Sequence, residues 1–330
     1  MKDVAREAGV GLMTVSRVIN GIGEKRVGEA TAARVREIVA RLGYEPNDIA
    51  RRLRGRKSGV IGLVIIDIAN PFWAQCARGV ELEARKHGYV TMLVVSDENA
   101  ELEEKRIAVL RQKKVEGLLL IPAACSLRSP SERPHGLPTV VLDRPLPSSK
   151  ADTVLVHNRA AARKITEHLI EHGHRRIAFV GYGRYIYAVS KRVQGYKQAM
   201  EAAGLEASVH VQAPDASYAR ATTLQLLSEL RPPTAIFALN SVVLLGVMQG
   251  ASEKQLAIPH DLAVAGFEDF EWASFVKPSL TLVRHPGEQM GKLAAQFLFD
   301  RLSGSWTGGP RRVMVNAELI TRESCGCKPR

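Results

Sequence analysis

The chain has 330 residues, 45% of them hydrophobic, long enough for a large apolar core divided between two or three domains. Its formal net charge of +12 favours an anionic partner, nucleic acid or membrane surface, although overall charge cannot choose between these. No apolar run approaches the roughly 18 residues of a membrane span, Met1-Lys2-Asp3 opens no signal peptide, and Cys76, Cys125, Cys325 and Cys327 are too sparse for a disulfide framework. A cytoplasmic protein with free thiols and no membrane partner is expected.

Charge is concentrated at the start of the chain. Residues 1–57 hold thirteen bases against seven acids, half of the total excess, and five of those bases fall between Arg51 and Lys57. Beside the helices predicted here, such clustering points to phosphate contact. Asp3 to Ala8 has helical spacing with Val4, Ala5 and Ala8 on one face, and Gly9 permits a tight turn. Val10, Val15, Val18 and Ile19 form a second apolar stripe. Leu12, Met13, Thr14, Ser16 and Arg17 fall largely outside it, leaving one face to pack and one to present to a major groove. Ala30 to Leu42 reads as a third helix with Val35, Ile38, Val39 and Leu42 inward, stopped at Gly43. Asn47 is placed to cap a short helix from Asp48 to Arg54.

The pattern D-V-A-x-x-A-G-V-x-x-x-T-V-S-R-V-I-N, followed by L-G-Y-x-P-N and A-R-R-L, resembles the head of the lactose repressor (LacI/GalR) family. The resemblance implies that Leu12 and Met13 occupy the two specificity positions, that Arg17 reaches a base edge, and that Thr14, Ser16 and Asn20 sit near phosphates. It also implies a DNA-ordered hinge helix over about 47–54, containing Asn47, Arg51 and Arg54, whose Leu53 enters the minor groove. An arginine fork can donate bidentately to guanine, worth about 1–3 kcal/mol of discrimination. Two departures stand out. The family's usual Thr capping the first helix has no counterpart, and Gly28 stands where a Ser commonly caps the third.

From Gly59 onward apolar runs such as G-V-I-G-L-V-I-I, G-L-L-L-I-P, R-I-A-F-V-G and L-A-V-A-G-F alternate with helical stretches. Continuous apolar strands spaced by helices argue for parallel sheets covered on both faces, here an α/β body with enough strands for two sheets. V-V-L-D-R-P, E-H-G-H-R-R-I-A-F-V-G, R-V-Q-G-Y-K-Q-A-M and I-P-H-D-L-A-V-A-G-F-E-D resemble the same family's body. That likeness implies a periplasmic-binding-protein-like fold of two doubly wound lobes. The expected division is a helix-turn-helix head over 1–57 and an effector-binding, dimerising body over 58–330. Within the body, lobe 1 takes about 58–157 and 286–316, and lobe 2 about 158–285 and 317–325, with crossovers near Asn158, His285 and Ala317.

Ligands of open parallel sheets lie beyond the carboxyl ends of the strands. By that rule Asn70, Phe72 and Trp73 offer an amide and aromatic faces, with lobe core as an equal reading for the two aromatics, and Asn240 and Glu268 follow later strands. Arg192 matches the family's effector-binding arginine, and Lys191 precedes it. Ser241 stands where the family has Asp, His157 where many members have Asp, and Glu268 replaces Asp. The retained bases and lost carboxylates predict an anionic effector, a sugar acid or sugar phosphate.

Two motifs resemble metal sites. His168-Leu169-Ile170-Glu171-His172 fits the H-x-x-E-H zinc-peptidase pattern, but no third ligand is suggested nearby, and Cys325-Gly326-Cys327 lacks partners in sequence. No metal, cofactor or catalytic set is expected. The chain reads as a homodimeric transcriptional repressor that binds a pseudo-palindromic double-stranded DNA operator under control of a small sugar-like effector. The competing reading is a cytosolic solute-binding protein or sugar-processing enzyme with a basic head.

Overall fold

A computed structural model describes residues 1–20, 26–44, 58–123, 136–146, 151–183, 185–212 and 216–327. The chain divides into two compact units, Met1–Ser58 and Gly59–Arg330. The hinge positions Asn47, Arg51, Leu53 and Arg54, together with Cys125 and the side chain of Asn20, lie outside the described residues.

The first unit contains α1 (Lys2–Ala8), α2 (Leu12–Asn20) and α3 (Glu29–Arg41). Gly9 ends α1 in the left-handed region at φ 61°, which a side chain would disfavour, and so turns the chain into α2. Val4, Ala8, Val15, Val18, Ala32, Val35 and Ile38 form the core, with Val10, Ile19 and Val39 packed against it. Leu42 does not join them. It is 41% exposed, the helix closing one residue before this fourth apolar position of its stripe. Neither Met1 before α1 nor Gly28 before α3 supplies a side-chain cap, so both first turns leave backbone donors to water.

The second unit holds two six-stranded sheets. The first has the order β11-β5-β4-β3-β1-β2, with β1 (Val60–Ile65), β2 (Val90–Val95), β3 (Leu118–Leu120), β4 (Thr139–Leu142), β5 (Asp152–Val156) and β11 (Arg312–Val315). All its pairings are parallel. The second has the order β12-β10-β9-β8-β6-β7, with β6 (Ile177–Tyr182), β7 (Ser208–Gln212), β8 (Ala235–Ala238), β9 (Ala263–Phe267), β10 (Thr281–Arg284) and β12 (Glu318–Ile320). Only the edge strand β12 runs antiparallel, against β10. The central strands are buried along nearly their whole length, as helices on both faces require.

Helices α4 (Pro71–Lys86), α5 (Ala100–Gln112) and α10 (Gly287–Ser303) accompany the first sheet, and α6 (Asn158–Glu171), α7 (Tyr187–Ala202), α8 (Ala216–Leu226) and α9 (Ser241–Glu253) the second. The chain passes between sheets from β5 into α6, from β10 into α10 and from β11 into β12. Buried Asp152 secures the return of α10 and β11 to the first sheet, accepting from Arg301 Nη2 at 2.8 Å and from Arg311 Nη2 at 2.9 Å.

Candidate functional site

Two sites emerge, one in each unit. On the head, the burial of Val15 and Val18 turns the opposite face of α2 outward, so that Leu12 is 46% and Met13 68% exposed. Arg17 follows Met13 by one turn, and its Nη2 lies 3.6 Å from the Met13 sulfur. Thr14 and Ser16 are half-buried at the edges of this face. An exposed apolar pair beside an arginine fork is costly in water and suited to a groove offering thymine methyls and guanine acceptors.

In the body, a cavity of about 420 Å³ opens between the lobes, the size of a small-ligand site. Its walls come mainly from residues just beyond the strand ends. Asp67, Asn70, Phe72 and Trp73 follow β1, Asp97 and Glu98 follow β2, and Asp143 and Arg144 follow β4. From the second lobe come Tyr182 at the end of β6, Arg192 from α7, Asn240 after β8 and Glu268 after β9.

Asn70 and Asn240 do the same work in the two lobes. Each caps a helix through its Oδ1, Asn70 accepting from Phe72 N at 2.8 Å and Asn240 from Val243 N at 3.0 Å. That leaves each amide donor to the cleft: Asn70 Nδ2 reaches across to Glu268 Oε2 at 3.5 Å, and Asn240 Nδ2 donates to the Tyr182 hydroxyl at 2.8 Å. Phe72 and Trp73 are buried in the first-lobe core and line the cavity as well.

Glu268 sits at φ 74° and Asp143 at φ 62°, left-handed values that cost a non-glycine residue about 1–3 kcal/mol and recur at ligand sites. The extra methylene of Glu268 has a use. Its Oε2 accepts from the Ser241 hydroxyl at 2.6 Å, so a carboxylate at 268 serves the neighbourhood where position 241 lacks one.

Arg192 is buried and held on three sides. Its Nε donates to Asn158 Oδ1 at 2.9 Å, Nη1 to the Leu239 carbonyl at 2.7 Å and Nη2 to His285 Nε2 at 3.0 Å, while the guanidinium lies 4.1 Å from the Phe267 ring centre. Since a guanidinium only donates, His285 Nε2 must accept, which leaves the imidazole proton on Nδ1. Burial, helped by Arg192, pushes the His285 pKa well below the usual histidine range. Burial pulls the Arg192 pKa down, against the attraction of Glu268 and Asp143. Arg144 is anchored by Glu98 at 2.6 and 3.1 Å, and its buried Nε makes no hydrogen bond within the protein, lying 3.7 Å from Asp143 Oδ2. Burial raises the Asp143 carboxyl, with Arg144 and Arg192 pulling the other way.

One expectation needs correction. Lys191 does not line the cleft: neighbours on a helix point about 100° apart, so with Arg192 inward Lys191 faces Gln194 at 3.3 Å and the Tyr187 ring. The cleft also carries more acids than bases. Asp67, Asp97, Glu98, Asp143 and Glu268 outnumber Arg144 and Arg192 around the cavity, so its formal charge is negative. The carboxylates missing at 157 and 241 are offset by others beyond β2 and β4. Asp97, Glu98, Asp143, Arg144 and Tyr182 were legible in principle, because the strand-end rule places them at the cleft just as it does Asn70 and Asn240.

The two metal-like motifs behave differently from their reading in sequence. His172 Nδ1 lies 2.7 Å from the carbonyl of His168, so the two imidazoles of H-x-x-E-H do not face one centre. His168 instead meets Cys325 and Cys327.

Residues 1–47 match the family described as bacterial regulatory proteins, lacI family, and residues 166–325 match the periplasmic binding protein-like domain. The HTH-type transcriptional repressor CytR of Escherichia coli (strain K12) is 30% identical over 100% of this chain and 97% of its own length. The chain belongs to the lacI family. This LacI-family chain is also 33% identical to the ribose operon repressor of Escherichia coli (strain K12), over 98% of the chain and 99% of that repressor. The solved complex of the transcriptional regulator CelR with cellobiose shares 31% identity, covers 97% of this chain and 98% of its own, and superposes with a TM-score of 0.71. The family is one of transcriptional regulators with a helix-turn-helix head and a two-lobed body.

Proposed function

We propose that this chain is a cytoplasmic, non-enzymatic transcriptional repressor whose hold on a pseudo-palindromic operator is set by a neutral polyhydroxylated effector, a sugar or a compound of sugar-like hydroxyl pattern. The observation that carries the effector class is the cavity wall. Carboxylates in excess accept from hydroxyl donors, while the partnered Arg192 and the Nε of Arg144, which makes no hydrogen bond within the protein, supply directed donors, and the acid excess does not favour a negatively charged effector. The names of two relatives point the same way, one a ribose operon repressor and the other a regulator solved with cellobiose.

For the DNA end, Leu12, Met13 and Arg17 form the reading face, and Thr14, Ser16 and Asn20 flank it. Asn47, Arg51, Leu53 and Arg54 are assigned to the hinge contact on the motif alone. One recognition helix reads only a few base pairs, so two heads on a two-fold axis are needed for a specific site, which makes the working unit a homodimer. Effector closing the lobes would change the operator affinity by a coupling of typically about 1–3 kcal/mol.

The experiment is a mobility-shift titration on the DNA upstream of the chain's own gene, repeated with ligands chosen by thermal shift from neutral sugars, nucleosides, sugar acids and sugar phosphates. A salt-sensitive specific complex, altered by a neutral polyol, is expected. Thermal shifts confined to sugar acids or phosphates would overturn the effector class, and absence of a specific complex in every ligand state would overturn the regulator reading.

A further inference from the structure

His168 lies in α6 of the second lobe, and Cys325 and Cys327 lie in the C-terminal turn. The fold brings His168 Nε2 to 3.2 Å from Cys325 Sγ, and the three donor atoms all fall within 4.8 Å of one another. Tetrahedral zinc, with sulfur about 2.3 Å and nitrogen about 2.0–2.1 Å from the metal, sets its donors roughly 3.5–3.8 Å apart. The cluster therefore needs only side-chain adjustment to hold an ion.

The local backbone is shaped for this convergence. Gly326 adopts φ 78°, a left-handed value that turns the chain between the two cysteines, and both sulfurs come to one point, 3.3 and 3.1 Å from the Arg322 carbonyl. Both thiols are buried, while His168 is half-exposed and gives the cluster an opening to solvent. The Thr281 hydroxyl lies 3.1 Å from Cys325 Sγ and can donate to a thiolate. His174 Nε2 reaches the Cys325 carbonyl at 3.3 Å and steadies the turn. Such outer contacts orient ligands in metal sites.

We propose that His168, Cys325 and Cys327 bind one divalent cation of the zinc class, with the fourth position filled by solvent or a small exogenous ligand. Two sulfurs and one imidazole select a borderline-soft ion over magnesium or calcium, which take oxygen ligands. On binding, each cysteine gives up its thiol proton to solvent, and the two thiolates balance the ion's two positive charges. The ion joins the C-terminal turn to α6, the helix whose first residue, Asn158, holds Arg192 at the cleft. Glu171 and His172 are not among the ligands.

The test uses full-length protein, reduced and stripped by chelator, titrated with cobalt(II) and then zinc(II). One equivalent of cobalt should produce a thiolate-to-metal charge-transfer band in the near ultraviolet with strong tetrahedral bands in the visible, and zinc should abolish both while raising the melting temperature. Cys327→Ser and His168→Gln should each weaken zinc binding by at least about tenfold, the lower end of what even an outer-shell partner costs. Circular dichroism of both variants without metal should match the parent, so that a folding defect is told apart from a lost ligand. Cobalt spectra without a thiolate band, or zinc affinity unchanged in both variants, would overturn the site.

Discussion

Arg17 and Met13 share one strip of α2, the face proposed to read DNA, with the guanidinium resting 3.6 Å from the thioether. Only Arg17 on that strip can make a strong polar contact to a base. Arg17→Ala should therefore cost about 1–3 kcal/mol of discrimination at one base pair in each half-site. Competition binding against single-base operator variants measures this, and equal weakening on all sequences would reduce Arg17 to a phosphate contact. At the other site, His285 is neutral in the fold because burial and Arg192 hold its pKa well below the usual value. The unfolded chain binds that proton near pH 6.5, so the contribution of neutral His285 is complete above that pH and is lost as pH falls below it. Urea unfolding at pH 7 and 5.5 should show the parent losing up to about 1.4 kcal/mol per pH unit more than His285→Gln. Parallel losses in the two proteins would refute this.

At the scale of elements, both lobes are built on a close helix pair that lacks side chains at the crossing. A Cβ on Gly195 of α7 would strike the Arg159 carbonyl of α6, and one on Gly291 of α10 would strike the Cys76 carbonyl of α4. The α6 and α7 pair matters most for the cleft, since Asn158 begins α6 and Arg192 lies in α7. Gly195→Ala must push the helices apart, and overpacking of this kind costs about 1–3 kcal/mol. Denaturant unfolding should read that loss together with weaker effector binding, because the Asn158–Arg192 hydrogen bond spans the displaced pair. Unchanged stability would mean that the crossing is looser than its geometry. Helix ends were readable in part. Gly9 and Gly28 took the places that turn and capping chemistry assign them, whereas the outward turn of Leu42 depended on where α3 stops.

For the whole molecule, legibility followed the range of the interactions. Period 3.6 in the head and continuous apolar runs in the body report which faces are buried, and burial is a local consequence of side-chain type, so the three-helix head and the α/β body were open to inspection. The strand-end rule supplied Asn70, and with the family motifs it supplied Arg192, Asn240 and Glu268, all of which line the cleft. The cleft's charge was not readable that way. Its acids come from positions 67 to 268, spread over four strand ends, and their sum is known only once the strand order brings those ends together. The same holds for Lys191, separated from its neighbour by one helical step, and for His168, whose partners lie at the far end of the chain. The sequence alone determined the family, the basic reading head and the alternation of strand and helix, because each rests on short spacings. Tertiary structure decided which groups are spent on one another, as Arg192 is on Asn158, Leu239 and His285, and which converge, as His168 does with Cys325 and Cys327. Those pairings join residues tens to more than a hundred positions apart, where local pattern carries no information and the packing of sheets and helices supplies it.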